Sequence, residues 1–261
     1  VCSSDLEVDF SFKTIRFKDM IPYPVVIFVI LPLAIWMLTR DSSYIFQMGL
    51  FSLSLTPVAI GAPVVTNLLN ANRELTLVNV IVYNLLAPFS FFILLKLYFA
   101  ESEAFVISFG VLVPKVLILI GIPLIAAMIV QHRAKNLGRI LKFARYVNPG
   151  LYVFIILIAV SSVADVVKQK NIEDLLVLFA AVFSLAIVSY GIGLLVPLNG
   201  ANRRSYASIL GHKNIGLLIW INLSFLGREL VIPAILYSIS QHFINGILIF
   251  FLSKENGGLK T

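Results

Sequence analysis

The chain has 261 residues, 59% apolar and 13% charged, with a mean hydropathy of +0.98. Soluble domains run at about 45–50% apolar and about 25% charged residues, so an ordinary water-soluble enzyme is excluded. The net charge of +7 raises nucleic acid as a partner, but the placement of the cations along the chain points to a lipid bilayer instead.

The first residues, Val1 to Leu6, are polar and begin with Val; they read as a remnant rather than a targeting segment. Cys2 is the single cysteine, so no internal disulfide forms. Apolar runs long enough to span then follow at 21–39, 44–69, 74–100, 104–130, 148–168, 173–197, 203–226 and 228–253. Each has about 19–27 residues, or about 28–40 Å as helix, against a hydrocarbon core of about 30 Å. Unbroken runs such as Val116-Leu117-Ile118-Leu119-Ile120 lack the period-two alternation of barrel strands. The expected fold class is an all-α membrane protein with eight transmembrane spans.

Alternate loops sort the cations. Lys13, Arg16, Lys18, Arg73, Arg133, Lys135, Arg139, Lys142, Arg145, Arg203, Arg204, Lys254 and Lys260 fall on one side; Arg40, Lys168, Lys170 and Arg228 fall on the other. The excess of Lys and Arg makes the first side cytoplasmic and puts both termini there, as in a bacterial-type inner or plasma membrane. The basic linker 131–147 intersperses Leu137, Ile140, Leu141 and Phe143 with Arg and Lys, which predicts a short amphipathic helix along the inner headgroups.

Two spans are interrupted. Thr56-Pro57-Val58-Ala59-Ile60-Gly61-Ala62-Pro63-Val64-Val65-Thr66-Asn67 puts two prolines, a glycine and an Asn inside one apolar run, and Leu210-Gly211-His212-Lys213-Asn214-Ile215-Gly216 interrupts another. A broken helix frees backbone N–H and C=O groups, which survive at membrane depth only when buried in protein or lining a polar cavity. Paired breaks in corresponding halves are a pointer to a transport site. The triplets 21–39, 44–69, 74–100 and 173–197, 203–226, 228–253 correspond, with Asn67 opposite Asn214 and Pro88 opposite Pro233. They start from opposite sides of the membrane, so the repeat is inverted. Spans 104–130 and 148–168 stand between them without counterparts ahead of residue 21, and the chain reads as the last eight spans of a ten-span protein.

Phe28-Val29-Ile30-Leu31-Pro32-Leu33, the break ending Thr66-Asn67-Leu68-Leu69, Tyr83-Asn84-Leu85-Leu86-Ala87-Pro88 and Gly211-His212-Lys213-Asn214-Ile215-Gly216-Leu217 together resemble the bile acid:sodium symporter family. The resemblance implies two discontinuous helices crossing at the membrane midplane in a core domain, a panel domain beside it, and substrate between them. The implied organisation is a remnant at 1–20, a first core half at 21–104, panel-type helices at 105–172, a second core half at 173–253 and a tail at 254–261. The panel would be partial, lacking its first two helices.

Thr66, Asn67 and Asn84 resemble the oxygen ligands that help bind Na⁺ in that family, giving a weak sodium site; capping of a broken helix is the alternative role for Thr66 and Asn67. At the second break the family pattern is Glu-x-Gly-x-Gln-Asn-x-Gly. Here Gly211, Asn214 and Gly216 match, but Ile209 replaces Glu and Lys213 replaces Gln. An ammonium has three donors and no acceptor, so it repels Na⁺ rather than ligating it. Lys213 is therefore expected to stand in for the coupling cation, held by carbonyls, Asn67 or Asn84, or to pair with an anionic substrate. His212 beside it is either a proton relay or a packed histidine.

Gln241, His242 and Asn245 form a polar patch on one span. With Lys115, in a panel-type span, they are secondary crevice candidates. Asp165 lies near the outer end of another panel-type span, and its pairing with Lys115 requires matching depths. No nucleophile–base pair, metal-ligand spacing or nucleotide glycine pattern occurs, so neither an enzyme nor a cofactor is expected. The expected function is secondary transport of a small organic anion by alternating access, with half-helix N-termini and Lys213 supplying positive potential. Alternatives are an ion or metalloid exporter on the same scaffold, or a non-transporting membrane sensor. Substrate identity, coupling ion and oligomeric state are not set by these residues.

Overall fold

The computed structural model describes residues 17–99, 109–133, 137–196 and 198–252. Cys2, Lys13, Arg16, Lys135, Lys254 and Lys260 lie outside them. Among the described residues the chain is helical, with one isolated β-bridge and no sheet. In chain order the helices are α1 (Pro22–Thr39), α2 (Tyr44–Leu55), α3 (Ala62–Leu68), α4 (Arg73–Phe99), α5 (Phe109–Arg133), α6 (Leu137–Lys168), α7 (Ile172–Leu195), α8 (Gly200–Gly211), α9 (Ile215–Leu226) and α10 (Val231–Leu252).

By length and composition, five stretches are able to cross a membrane: Pro22–Thr39, Arg73–Phe99, Gly150–Lys168, Ile172–Leu195 and Arg228–Leu252. The broken runs 44–69 and 203–226 appear as the helix pairs α2/α3 and α8/α9. Of the run 104–130, residues 104–108 lie outside the described residues, and α5 carries its apolar part over Phe109–Pro123. One expectation is corrected. The linker 131–147 is not a separate surface helix: α6 runs unbroken from Leu137 through Pro149 and Gly150 to Lys168.

Proline chemistry shapes the first half. Pro32 has no N–H for its turn, and the helix ahead of it widens to a π-segment at Val26–Ile30. Thr56 precedes Pro57 and is extended (φ −62°, ψ 127°), which ends α2 at Leu55. Pro63 falls in the first turn of α3, where a missing N–H costs nothing. The two prolines thus bracket the non-helical stretch 56–61. The second break has no proline; Asn214 makes it by capping, its Oδ1 accepting from the N–H of Leu217 at 3.3 Å.

α7 packs along α8, α10 against α7, α6 and α2, and α4 against α3, α5 and α8. The two broken pairs lie inside this arrangement. Apolar side chains exposed on the outer helices, among them Ile118, Ile122, Phe154, Leu157, Leu176 and Val177, form the kind of face that lipid covers.

Candidate functional site

The two breaks meet. Val58 and Lys213 face each other as an antiparallel bridge, formed by Ala59 N–H to His212 O at 2.7 Å and Asn214 N–H to Pro57 O at 2.8 Å. In such a pair the facing residues turn their own N–H and C=O groups outward, so these need other partners. All four find one. The Val58 N–H donates to the Tyr23 hydroxyl at 3.1 Å, and the Val58 carbonyl accepts from Asn84 Nδ2 at 2.9 Å. The Lys213 N–H donates to Gln241 Oε1 at 3.0 Å, and its carbonyl accepts from Ile215 N–H at 2.9 Å. The crossing is therefore closed by protein groups on α1, α4 and α10.

Asn84 is the hub. Its Nδ2 also donates to Val80 O at 2.8 Å, while its Oδ1 accepts from Asn214 Nδ2 at 2.8 Å. Tyr237 donates to the Gly211 carbonyl at 2.8 Å. Tyr23 is held in place by stacking on Tyr83, ring centroids 4.0 Å apart, and Tyr83 donates to Met20 O at 3.0 Å.

Lys213 is 1% exposed, and its Nζ donates to the carbonyls of Ser54 and Thr56 at 3.3 and 3.4 Å. These carbonyls lie at the end of α2 and the start of the first break. The ammonium thus ties the two breaks together through backbone oxygens, the first of the three partners expected from the sequence. Asn67 and Asn84 are not its partners.

Thr66 and Asn67 require a correction. The sequence suggests that they sit at the first break, but α3 resumes at Ala62 and carries both away from it. Thr66 Oγ1 bonds Ala62 O at 2.9 Å and the Thr76 hydroxyl at 3.0 Å, and Asn67 is exposed near the far end of α3. The structure gathers Asn84, His212, Lys213, Asn214 and Gln241 at the crossing and leaves Thr66 and Asn67 outside it.

His212 is 9% exposed, its Nδ1 has no hydrogen-bond partner, and its ring lies 6.0 Å from that of His242. His242 Nδ1 lies 2.7 Å from Ser238 O, with Tyr152 of α6 at 5.4 Å between ring centroids. Asn245 accepts from the Tyr190 hydroxyl at 2.7 Å. The patch on α10 therefore bridges helices. Lys115 lies apart from it, its Nζ 5.7 Å from the Phe225 ring centroid. Asp165 pairs with Arg228 at 2.6 Å, not with Lys115.

Tyr23, Tyr237 and the Asp165–Arg228 pair are absent from the sequence reading. The tyrosines carry a signal, since a phenol inside an apolar span needs a partner for its hydroxyl. The pair carries none, because its members lie far apart in the chain.

Among the described residues no group of three or more His, Cys, Asp or Glu gathers as for a metal. No curated protein matches the chain. Residues 12–170 match the Sodium Bile acid symporter family, whose members are transporters rather than enzymes. This span includes the first break and ends before the second. A match over more than half of the chain, with five helices able to cross a membrane, makes this protein a transmembrane transporter that belongs to the Sodium Bile acid symporter family.

Proposed function

We propose that this chain is a secondary transporter of a small organic anion, working by alternating access, with Lys213 in place of a coupling Na⁺. The observation that carries the reading is the Lys213 side chain, buried at the crossing of two broken helices, its Nζ bonded among the described residues to two neutral carbonyls. An intramembrane charge marks a substrate or ion pathway by default. The antiparallel meeting of the breaks supports an inverted repeat within an eight-span arrangement. The distribution of Lys and Arg supports cytoplasmic termini.

The oxygen ligands suggested for Na⁺ are not gathered around one point, which supports a reading without that ion. Thr66 is engaged by Ala62 and Thr76, Asn67 is exposed, and Asn84 is engaged by Val58, Val80 and Asn214. A positive charge already stands where the breaks meet, and like charges at about 4 Å and an effective dielectric of about 20 repel by about 4 kcal/mol.

The test is uptake of labelled organic anions by counterflow into proteoliposomes, with and without Na⁺. Uptake is expected at the same rate in Na⁺-free medium. A strict requirement for Na⁺ overturns the role given to Lys213. Flux of inorganic ions without any organic anion favours an exporter on the same scaffold.

A further inference from the structure

We propose that the transporter is an obligate exchanger, in which one anion leaves for another to enter, and that Lys213 imposes this mode. The inference rests on the transport reading above and adds how the cycle must run. Among the described residues the acceptors of Lys213 Nζ are neutral, the Ser54 and Thr56 carbonyls. The side chains bonded into the same crossing are Tyr23, Asn84, Asn214, Tyr237 and Gln241, none of them a carboxylate. Asp165 is taken by Arg228 and Asp41 by Arg40, both pairs exposed. His212, whose Nδ1 has no hydrogen-bond partner and whose ring lies 6.0 Å from that of His242, offers no negative charge.

Among the described residues no carboxylate bonds the ammonium, so an anion seated against the crossing is what matches its charge. Reorientation passes through an occluded state in which the crossing meets no water. A carrier loaded with a monovalent anion passes it without net charge there; the empty carrier passes it with the ammonium alone. The penalty for an uncompensated charge at the centre of a span corresponds to about a hundredfold in rate. Return of the empty carrier then limits net flux, and an anion on the far side relieves that limit by filling the site.

The experiment uses proteoliposomes preloaded with labelled pyruvate, benzenesulfonate or taurocholate, one at a time. The pH is equal on both sides and the potential is clamped with valinomycin and K⁺. Adding the same anion outside is expected to accelerate efflux about a hundredfold. In Lys213→Gln the empty carrier is neutral, so efflux into anion-free medium rises toward the exchange rate. Lys213→Arg keeps a permanent charge and retains the stimulation. If Lys213→Gln does not fold, the wild-type ratio alone decides. Wild-type efflux into anion-free medium as fast as exchange overturns exchange while transport stands. So does net uptake driven by an inward pH gradient, since Lys213 would then shed its charge. If none of the three anions moves in either direction, the transport reading fails and exchange falls with it.

Discussion

The first and second breaks solve one problem with different chemistry. The first is made by Pro57 and Pro63, and its extended stretch gives the crossing backbone groups: the Thr56, Pro57 and Val58 carbonyls and the Val58 and Ala59 N–H groups. The second is made by the capping side chain of Asn214 and brings His212, Lys213 and Asn214 as side chains. The family match covers the first and ends at residue 170. A break built from proline and backbone offers dipoles to whatever the other break presents. Its partner decides what that is, and here it presents an ammonium.

The sharpest way to break this comparison is to remove the residue that serves both halves. Asn84→Leu leaves the Val58 carbonyl and the Asn214 amide without partners in a buried site. At about 1–3 kcal/mol for each of the two orphaned groups, the expected loss is about 2–6 kcal/mol in thermal unfolding of the detergent-solubilised protein. Asn79→Leu is the control on the same helix. Asn79 donates only to Leu75 of its own helix and its Oδ1 has no partner, so removal is expected to be neutral or stabilising. Equal losses for the two variants would mean that Asn84 does not couple the breaks.

The second break is also tighter. A Cβ on Gly211 would lie 2.3 Å from the Tyr190 ring, whereas one on Gly216 meets only Asn214 Oδ1 at 4.0 Å. Gly211→Ala is expected to cost about 1–3 kcal/mol by overpacking. Gly216→Ala is expected to gain up to about 1 kcal/mol in helix propensity. Unfolding midpoints of the two variants should move in opposite directions.

How far the sequence reaches also differs between the breaks. Both interruptions are legible, because Pro57 and Asn214 act on their own neighbours and need no tertiary partner. The displacement of Lys213 to a buried, carbonyl-bonded position is legible too, since an ammonium in an apolar span must find oxygen. Thr66 and Asn67 mislead: they belong to the same run of residues as the break, but the helix restarts at Ala62 and one further turn carries them off. Tyr23 and Tyr237 close the crossing from α1 and α10, and only the packing of helices distant in sequence brings them there. The continuous α6 is misread because the Arg and Lys of 131–147 mark a segment at headgroup level by charge, and charge does not show that the helix begun at Leu137 runs on to Lys168.

These two tyrosines sharpen the comparison at smaller scale. Tyr23→Phe orphans the Val58 N–H at the first break, a buried donor with a single bond to give, for about 1–3 kcal/mol. Tyr237→Phe orphans the Gly211 carbonyl at the second break. Buried carbonyls without partners are tolerated somewhat better than buried N–H groups. Tyr23→Phe is thus expected to lower the unfolding midpoint more than Tyr237→Phe, although both keep the ring. The reverse order would place the weaker joint at the second break.

The smallest effect is expected furthest from the crossing. Arg228 follows Gly227, whose φ of +125° turns the chain between α9 and α10, and its guanidinium reaches Asp165 on α6 at 2.6 Å. Both side chains are more than half exposed, so water screens the pair, and exposed pairs contribute about 0–1 kcal/mol. Asp165→Asn is therefore expected to shift the unfolding midpoint little, and the shift should fade as salt rises past the point where the Debye length is about 8 Å. The pair nevertheless joins α6 to the turn behind the second break, so it resists any motion that separates them. The double variant Asp165→Arg with Arg228→Asp restores the attraction with the charges reversed. If the pair acts only by its charge, counterflow rates change in Asp165→Asn and return to wild type in the swap. A rate change that the swap does not reverse would assign the effect to Arg228 in the turn itself, and so to the second break rather than to its tie to α6.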